Sequence, residues 1–383
     1  MTSCEFPHRR RFVGTHVLMM VAAGLSACSI ASPPVPLEVP VSSAMPSVQK
    51  AWTVHLPAAG PAGLALPPNV SGSVITVAAP DGTVLAIDAL TGREQWRAQV
   101  GARLLAGAGG DGTMAAVVTT DNRLLALENG RVVWTQRLAA LTYTAPLLAD
   151  GRIFVQTADR TVSAWDARSG HRLWSQRRAA DNLVLGKPGV LLAVGDTVIT
   201  GVGGRLAGLK ADDGTARWVA SIASPRGTND VDRLVDVTGT VSRDDNSVCA
   251  RAYDAAVGCV DAATGLQRWT QPAQGSEGLG GDRSFVYGSE STGSVIAWRR
   301  SDGKSAWRSE LFKNRALTSP LVVGNVLAIA ERSGTVYFIS RADGSLLNKV
   351  TPDGSAISAA PVLSGNTVVV LTQGGGIFGY RIQ

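Results

Sequence analysis

The chain has 383 residues, 45% hydrophobic and 17% charged, with 43 glycines; this is a globular composition suited to a fold with many tight turns. Its net charge is +6, of which Arg9, Arg10, Arg11 and Glu5 account for +2, and the remaining basic residues are scattered. That distribution excludes the clustered basic face of a nucleic-acid-binding protein.

Residues 1–27 read as an export signal. Arg9-Arg10-Arg11 form its charged start, and Phe12 to Leu25 form an apolar stretch too short for an ordinary membrane span. Leu25-Ser26-Ala27-Cys28 follows. It resembles the bacterial lipobox, in which the cysteine thiol is diacylated, the signal is cut before it and the new amine is acylated. The resemblance implies lipidation at Cys28. With Ser29 rather than Asp after it, it also implies transfer to the outer membrane, facing the periplasm. Several acyl chains, at about 0.8 kcal/mol per buried CH₂, make a stable anchor where one chain is marginal. Residues 28–49 hold Pro33, Pro34, Pro36, Pro40 and Pro46 among Ser and Val, the composition of an extended tether. The folded region is expected over 50–383.

Within that region one pattern recurs: a strand, a small residue, a polar residue, a glycine-containing turn and a strand carrying Trp. It reads Ala86-Ile87-Asp88-Ala89-Leu90-Thr91-Gly92-Arg93-Glu94-Gln95-Trp96. Shortened, it returns as Ala126-Leu127-Glu128-Asn129-Gly130 through Trp134, and then from Ala164 through Gly170 to Trp174. Later copies run from Gly208 to Trp218, Cys259 to Trp269, Ala297 to Trp307 and Phe338 to Leu347. With Trp52 as an earlier mark, the average step is about 42 residues, the size of four short antiparallel strands. Upstream hairpins carry their own turn chemistry, as in Val74–Val77 before Asp81-Gly82 and Val326–Ile329 before Ser333-Gly334.

Seven units end at these marks. The chain then continues through three more strands, Ala360–Leu363, Thr367–Thr372 and Gly376–Ile382, while Ala51–Leu56 is a fourth strand without a first three. The predicted fold is therefore all-β: an eight-bladed β-propeller with four antiparallel strands per blade, closed by the N-terminal strand. Closure removes an exposed sheet edge. A Trp at a fixed place in each blade reads as packing between blades. Trp165 and Trp298, at the place of Ile87, read as core.

Catalytic signatures are scarce. His55 and His171 are isolated, and no Gly-x-Ser-x-Gly elbow, phosphate loop or Cys-x-x-Cys occurs. Acidic pairs such as Asp212-Asp213 and Asp244-Asp245 read as solvated turns. Cys249 and Cys259 are symmetric about a turn at Tyr253-Asp254-Ala255. They form either a cross-strand disulfide or two buried thiols, in both cases structural.

The Ala-x-Asp-x-x-Thr-Gly-x-x-x-Trp repeat resembles the quinoprotein propeller repeat. That repeat is shared by the pyrroloquinoline-quinone dehydrogenases and by the BamB family, lipoprotein subunits of the outer-membrane β-barrel assembly machinery. The lipobox, compact blades and length resemble the BamB family over residues 25–383. Asn229 through Val237 resembles that family's acidic Asp-Arg-Leu-x-Asp-Val loop between the fourth and fifth blades, which helps bind the periplasmic POTRA domains of BamA. The resemblance carries partner binding onto Asp232, Arg233, Leu234 and Asp236; Thr238 stands where the family has a second functional Asp. A second family segment, Leu-x-Leu-Arg, is matched at Leu183 and Leu185, with Gly186 in place of the arginine and Lys187 next to it as a source of charge.

The function implied is that of a non-catalytic scaffold, without cofactor. It binds BamA, assists insertion of barrel proteins and is a candidate to contact their unfolded chains. Two alternatives are a lipid-anchored propeller serving another envelope protein and a quinone-dependent dehydrogenase. The latter is disfavoured by compact blades and the lack of adjacent cysteines.

Overall fold

The computed structural model describes residues 47–57, 66–178, 183–224 and 234–383. Cys28, Asp232 and Arg233 lie outside them. Every regular element described is a β-strand, and the strands form eight four-stranded antiparallel sheets, the blades of a ring. Blades 1 to 7 are consecutive hairpin stacks spanning 69–99, 109–137, 147–177, 191–221, 237–272, 279–309 and 321–350. Blade 8 is made of Val362–Ser364, Thr367–Leu371 and Gly376–Ile382, and its outermost strand is Val48–His55. That closing ladder runs from Val48 opposite Ile382 to His55 opposite Gly376. The strand begins three residues earlier than the expected Ala51. Its partner continues to Ile382, and a bulge between Lys50 and Trp52 adjusts the register so that Trp52 stays buried.

The second and third strands of each blade are buried on both faces, which explains their near-continuous apolar runs, such as Val74–Ala78 and Met114–Val118. The core is distributed as wedges between neighbouring blades. Phe154, Val162, Ala164 and Trp174 of blade 3 pack with Val198, Ala207 and Leu209 of blade 4. Trp52, Val369, Leu371 and Ile377 of blade 8 pack with Ile75, Val77, Leu85 and Ile87 of blade 1.

The recurring Trp and glycine meet across these wedges. The Trp52 indole N–H donates to the Ala89 carbonyl of blade 1 at 2.9 Å, and Trp174 donates to Ala211 of blade 4 at 2.8 Å. Each ring lies on the turn glycine of the following blade: a Cβ at Gly92, whose φ is +72°, would sit 2.6 Å from the Trp52 ring. The pattern thus spells a bond between one blade and the next. Trp165 and Trp298 are buried in third strands.

The last mark needs correction from Leu347 to Asn348. Asn348 faces Phe338 as Trp96 faces Ala86. No Trp is required there, because blade 8 takes its outer strand from the other end of the chain and has no third-to-fourth-strand turn to receive an indole.

In blade 5, Cys249 and Cys259 are directly opposed and joined as a disulfide, with Cα atoms 3.9 Å apart and both side chains fully buried. The Arg300 guanidinium of blade 6 donates to Cys249 Sγ at 3.3 Å and to the Ser247 hydroxyl at 3.2 Å, tying this hairpin to the next blade. Asp212 and Asp213 sit in a turn, whereas Asp244 ends a strand and Asp245 begins the turn after it. Asp213 accepts from the Thr215 amide and hydroxyl, which hold its carboxyl below the usual range, and Asp212 pairs with Arg152 at 2.7 Å.

Candidate interaction surface

Of the residues the sequence places at a partner site, Leu183, Leu185, Leu234 and Asp236 are described. They come from two links, one joining blade 3 to blade 4 and one leading into blade 5. The first strand of blade 5, Val237–Asp244, has eight residues where the other first strands have two to four. Its start lies alongside the blade 3–4 link. Gly189 bridges Thr238, and the Gly239 amide donates to the Pro188 carbonyl at 2.8 Å. Segments about fifty residues apart in the chain therefore share one edge of the ring face.

Asp236 closes this arrangement. One carboxylate oxygen accepts the Leu185 amide at 3.0 Å, and the other pairs with Arg160 Nη1 at 2.8 Å. Arg160, in the hairpin turn between the second and third strands of blade 3, also donates from Nη2 to the Leu183 carbonyl at 2.7 Å. The Asp236 and Arg160 side chains are only 9% and 10% exposed. Asp236 is thus a buried brace and does not present its carboxylate outward. Leu183 is 44% exposed, while Leu185 and Leu234 are half-buried. Two charged groups are committed below, and apolar side chains are offered above.

The Lys187 ammonium does not reach Asp236. It extends to the link between blades 5 and 6, donating to the Ser276 hydroxyl at 2.8 Å and pairing with Glu277 at 3.5 Å. Glu277 is also held by Arg332 of blade 7 at 2.9 Å. This group lines a cavity of about 880 Å³ whose wall also includes the apolar Pro67, Pro146, Pro188 and Val190 and the charged Glu290 and Arg315. Deeper polar groups near the same cavity are paired too. Glu331 accepts from Arg315 at 2.8 Å and from the Tyr337 hydroxyl at 2.7 Å, and Glu290 pairs with Arg251 at 3.1 Å. Burial and this carboxylate push the Tyr337 hydroxyl up to about 12.

The quinone-dependent chemistry of some propellers calls for carboxylates free to bind a cation. Here Glu277, Glu290 and Glu331 are each engaged by arginine. Among the described residues no group of His, Cys, Asp or Glu is arranged to hold a metal. The donor set does not fit such a cofactor.

Sequence reading missed Arg160, the centre of the arrangement. The available signal was an arginine at a turn position where five other blades carry Gly or Asn.

Residues 80–309 and 306–383 match the sequence profile of a family described as outer membrane protein assembly factor BamB. The outer membrane protein assembly factor BamB of Burkholderia pseudomallei is 33% identical over 361 residues, covering 93% of this chain and 94% of that protein. The crystal structure of BamB from Moraxella catarrhalis superposes with a TM-score of 0.78 at 21% identity, over 88% of this chain and all of that one. A quinohemoprotein alcohol dehydrogenase from Pseudomonas putida shares the fold at a TM-score of 0.68 and 14% identity, over 88% of this chain and 76% of that one. Repeat, ring and relatives agree: the chain belongs to the BamB family of outer membrane protein assembly factors.

Proposed function

We propose that this protein is a non-catalytic scaffold of the outer-membrane assembly machinery, anchored through Cys28 in the outer membrane and facing the periplasm. It docks on the POTRA domains of BamA through the ring face that carries Leu183, Leu185 and Leu234, with Asp232 and Arg233 on the same link as Leu234. One observation carries the reading: Leu183, a large exposed apolar side chain, stands on a segment whose backbone is pinned from below by a buried ion pair. A rigid ring presenting an apolar anchor on a fixed loop is the usual architecture of a recognition site.

The test is crosslinked recovery of BamA from cell envelopes with the native lipoprotein and with Leu183→Asp. Recovery that drops at least tenfold with the variant supports the reading. Equal recovery from both removes this face as the site. A different dominant partner removes the assembly-scaffold reading and leaves a lipid-anchored propeller that serves another envelope protein.

A further inference from the structure

We infer that Arg160 holds the Leu183–Leu185 segment in its docking position, and that Asp236 acts on partner binding through it. This rests on the docking reading above. Arg160 is a positioning residue: it does not touch the partner but holds the segment that does.

The first support is its backbone. The hairpin turn between second and third strands has the same hydrogen bonds in six blades. Gly82, Asn122, Arg160, Gly293, Gly334 and Gly375 each donate an amide to the carbonyl three residues back. All six have positive φ, and Arg160 stands at +66°. Glycine or asparagine suits that conformation, whereas a long side chain adopts it against a steric penalty. Such a residue persists where its surroundings over-determine it, and the inference runs from that outlier toward a role.

The second support is what the side chain does. Its two terminal nitrogens divide between Asp236 and the Leu183 carbonyl, so one planar group joins blade 3, the blade 3–4 link and the entry to blade 5. Asp236 holds the same link again at the Leu185 amide. The hairpin also carries the preceding link, since the Ala158 amide donates to the Leu141 carbonyl at 2.7 Å and the Thr142 hydroxyl to the Gln156 carbonyl at 2.6 Å. A fork of donors in fixed geometry can serve a carboxylate and a carbonyl at once; a lysine ammonium is a point charge on a flexible stem.

The third support is the neighbouring Lys187: it is committed to Ser276 and Glu277, so the cation paired with Asp236 is Arg160.

The test titrates the full-length lipoprotein in detergent with the POTRA region of BamA, and follows the thermal midpoint of each variant. Arg160→Gly suits the local backbone but leaves the buried Asp236 carboxylate without its cation, so it folds with a lowered midpoint while binding weakens by about tenfold or more. Arg160→Lys keeps the charge without the fork and retains part of the affinity. Unchanged binding in Arg160→Gly, with Leu183→Asp still defective, overturns the inference and leaves the docking face intact. Unchanged binding in both single variants removes the docking reading itself. Binding as weak in Arg160→Lys as in Arg160→Gly, with equal falls in midpoint, overturns it in favour of a purely architectural arginine.

Discussion

The seams between blades and the face at blades 3 to 5 are built on opposite principles. A seam repeats one solution, an indole of one blade on the glycine turn of the next, and each copy is independent of the others. The face uses Arg160, Asp236 and the Leu183–Leu185 segment once each, drawn from three places in the chain. Redundancy gives the seams stability without information; singularity gives the face an identity that a repeat could not have. If the proposed docking holds, damage at a seam shows as loss of stability and damage at the face as loss of binding.

The largest expected effect is at a seam. Trp174→Ala removes an indole packed against Phe154 and bonded to Ala211, leaving a cavity that costs about 3–5 kcal/mol. Urea unfolding measures it, and a cost below 1 kcal/mol would contradict the seam account. Next, replacing both Cys249 and Cys259 by Ala opens a crosslink between residues ten apart, a loss of about 2–3 kcal/mol. An unfolding midpoint indifferent to both the substitution and reductant would show that the crosslink contributes nothing.

Leu183→Asp reverses the pattern. Binding should weaken by about 2 kcal/mol, while unfolding free energy stays within about 0.5 kcal/mol of the parent. Stability loss without binding loss would erase the contrast. The smallest effect is with pH. Thr91 holds the Asp88 carboxyl below its usual value, Ser169 does so for Asp166, and Arg268 with Thr264 does so for Asp261. A depressed folded pKa stabilises above the unfolded value of about 3.9, and that contribution disappears as pH falls through the folded value. The thermal midpoint should hold down to about pH 4 and decline below it, less steeply in Thr91→Ala.

The same contrast explains what could be read in advance. Blade number, ring closure and the role of the tryptophans were legible because a pattern shown several times averages out local exceptions. Where the pattern lapsed, reading slipped: without an indole the seventh mark fell on Leu347, although Gly344 four residues before Asn348 keeps the true frame. The face was half legible. The two segments named by resemblance do lie side by side, but nothing local in the sequence shows that Arg160 of blade 3 pairs with Asp236 at the entry to blade 5. Lys187 was a reasonable source of charge by proximity in sequence, and proximity in sequence says nothing about which way a side chain on a link will extend.

The closing ladder has a temporal consequence. Val48 pairs with Ile382 and His55 with Gly376, so the earliest strand of the folded region must wait for the last. Contacts so remote in sequence are slow to form, because loop-closure entropy is lost before they are made. Until they form, the innermost seven blades can assemble in order while Gly376–Ile382 and Val48–His55 each present an open edge. The first strand of the ring is thus made earliest and seated last, and the interval between the two is the period in which this chain is most exposed to mispairing.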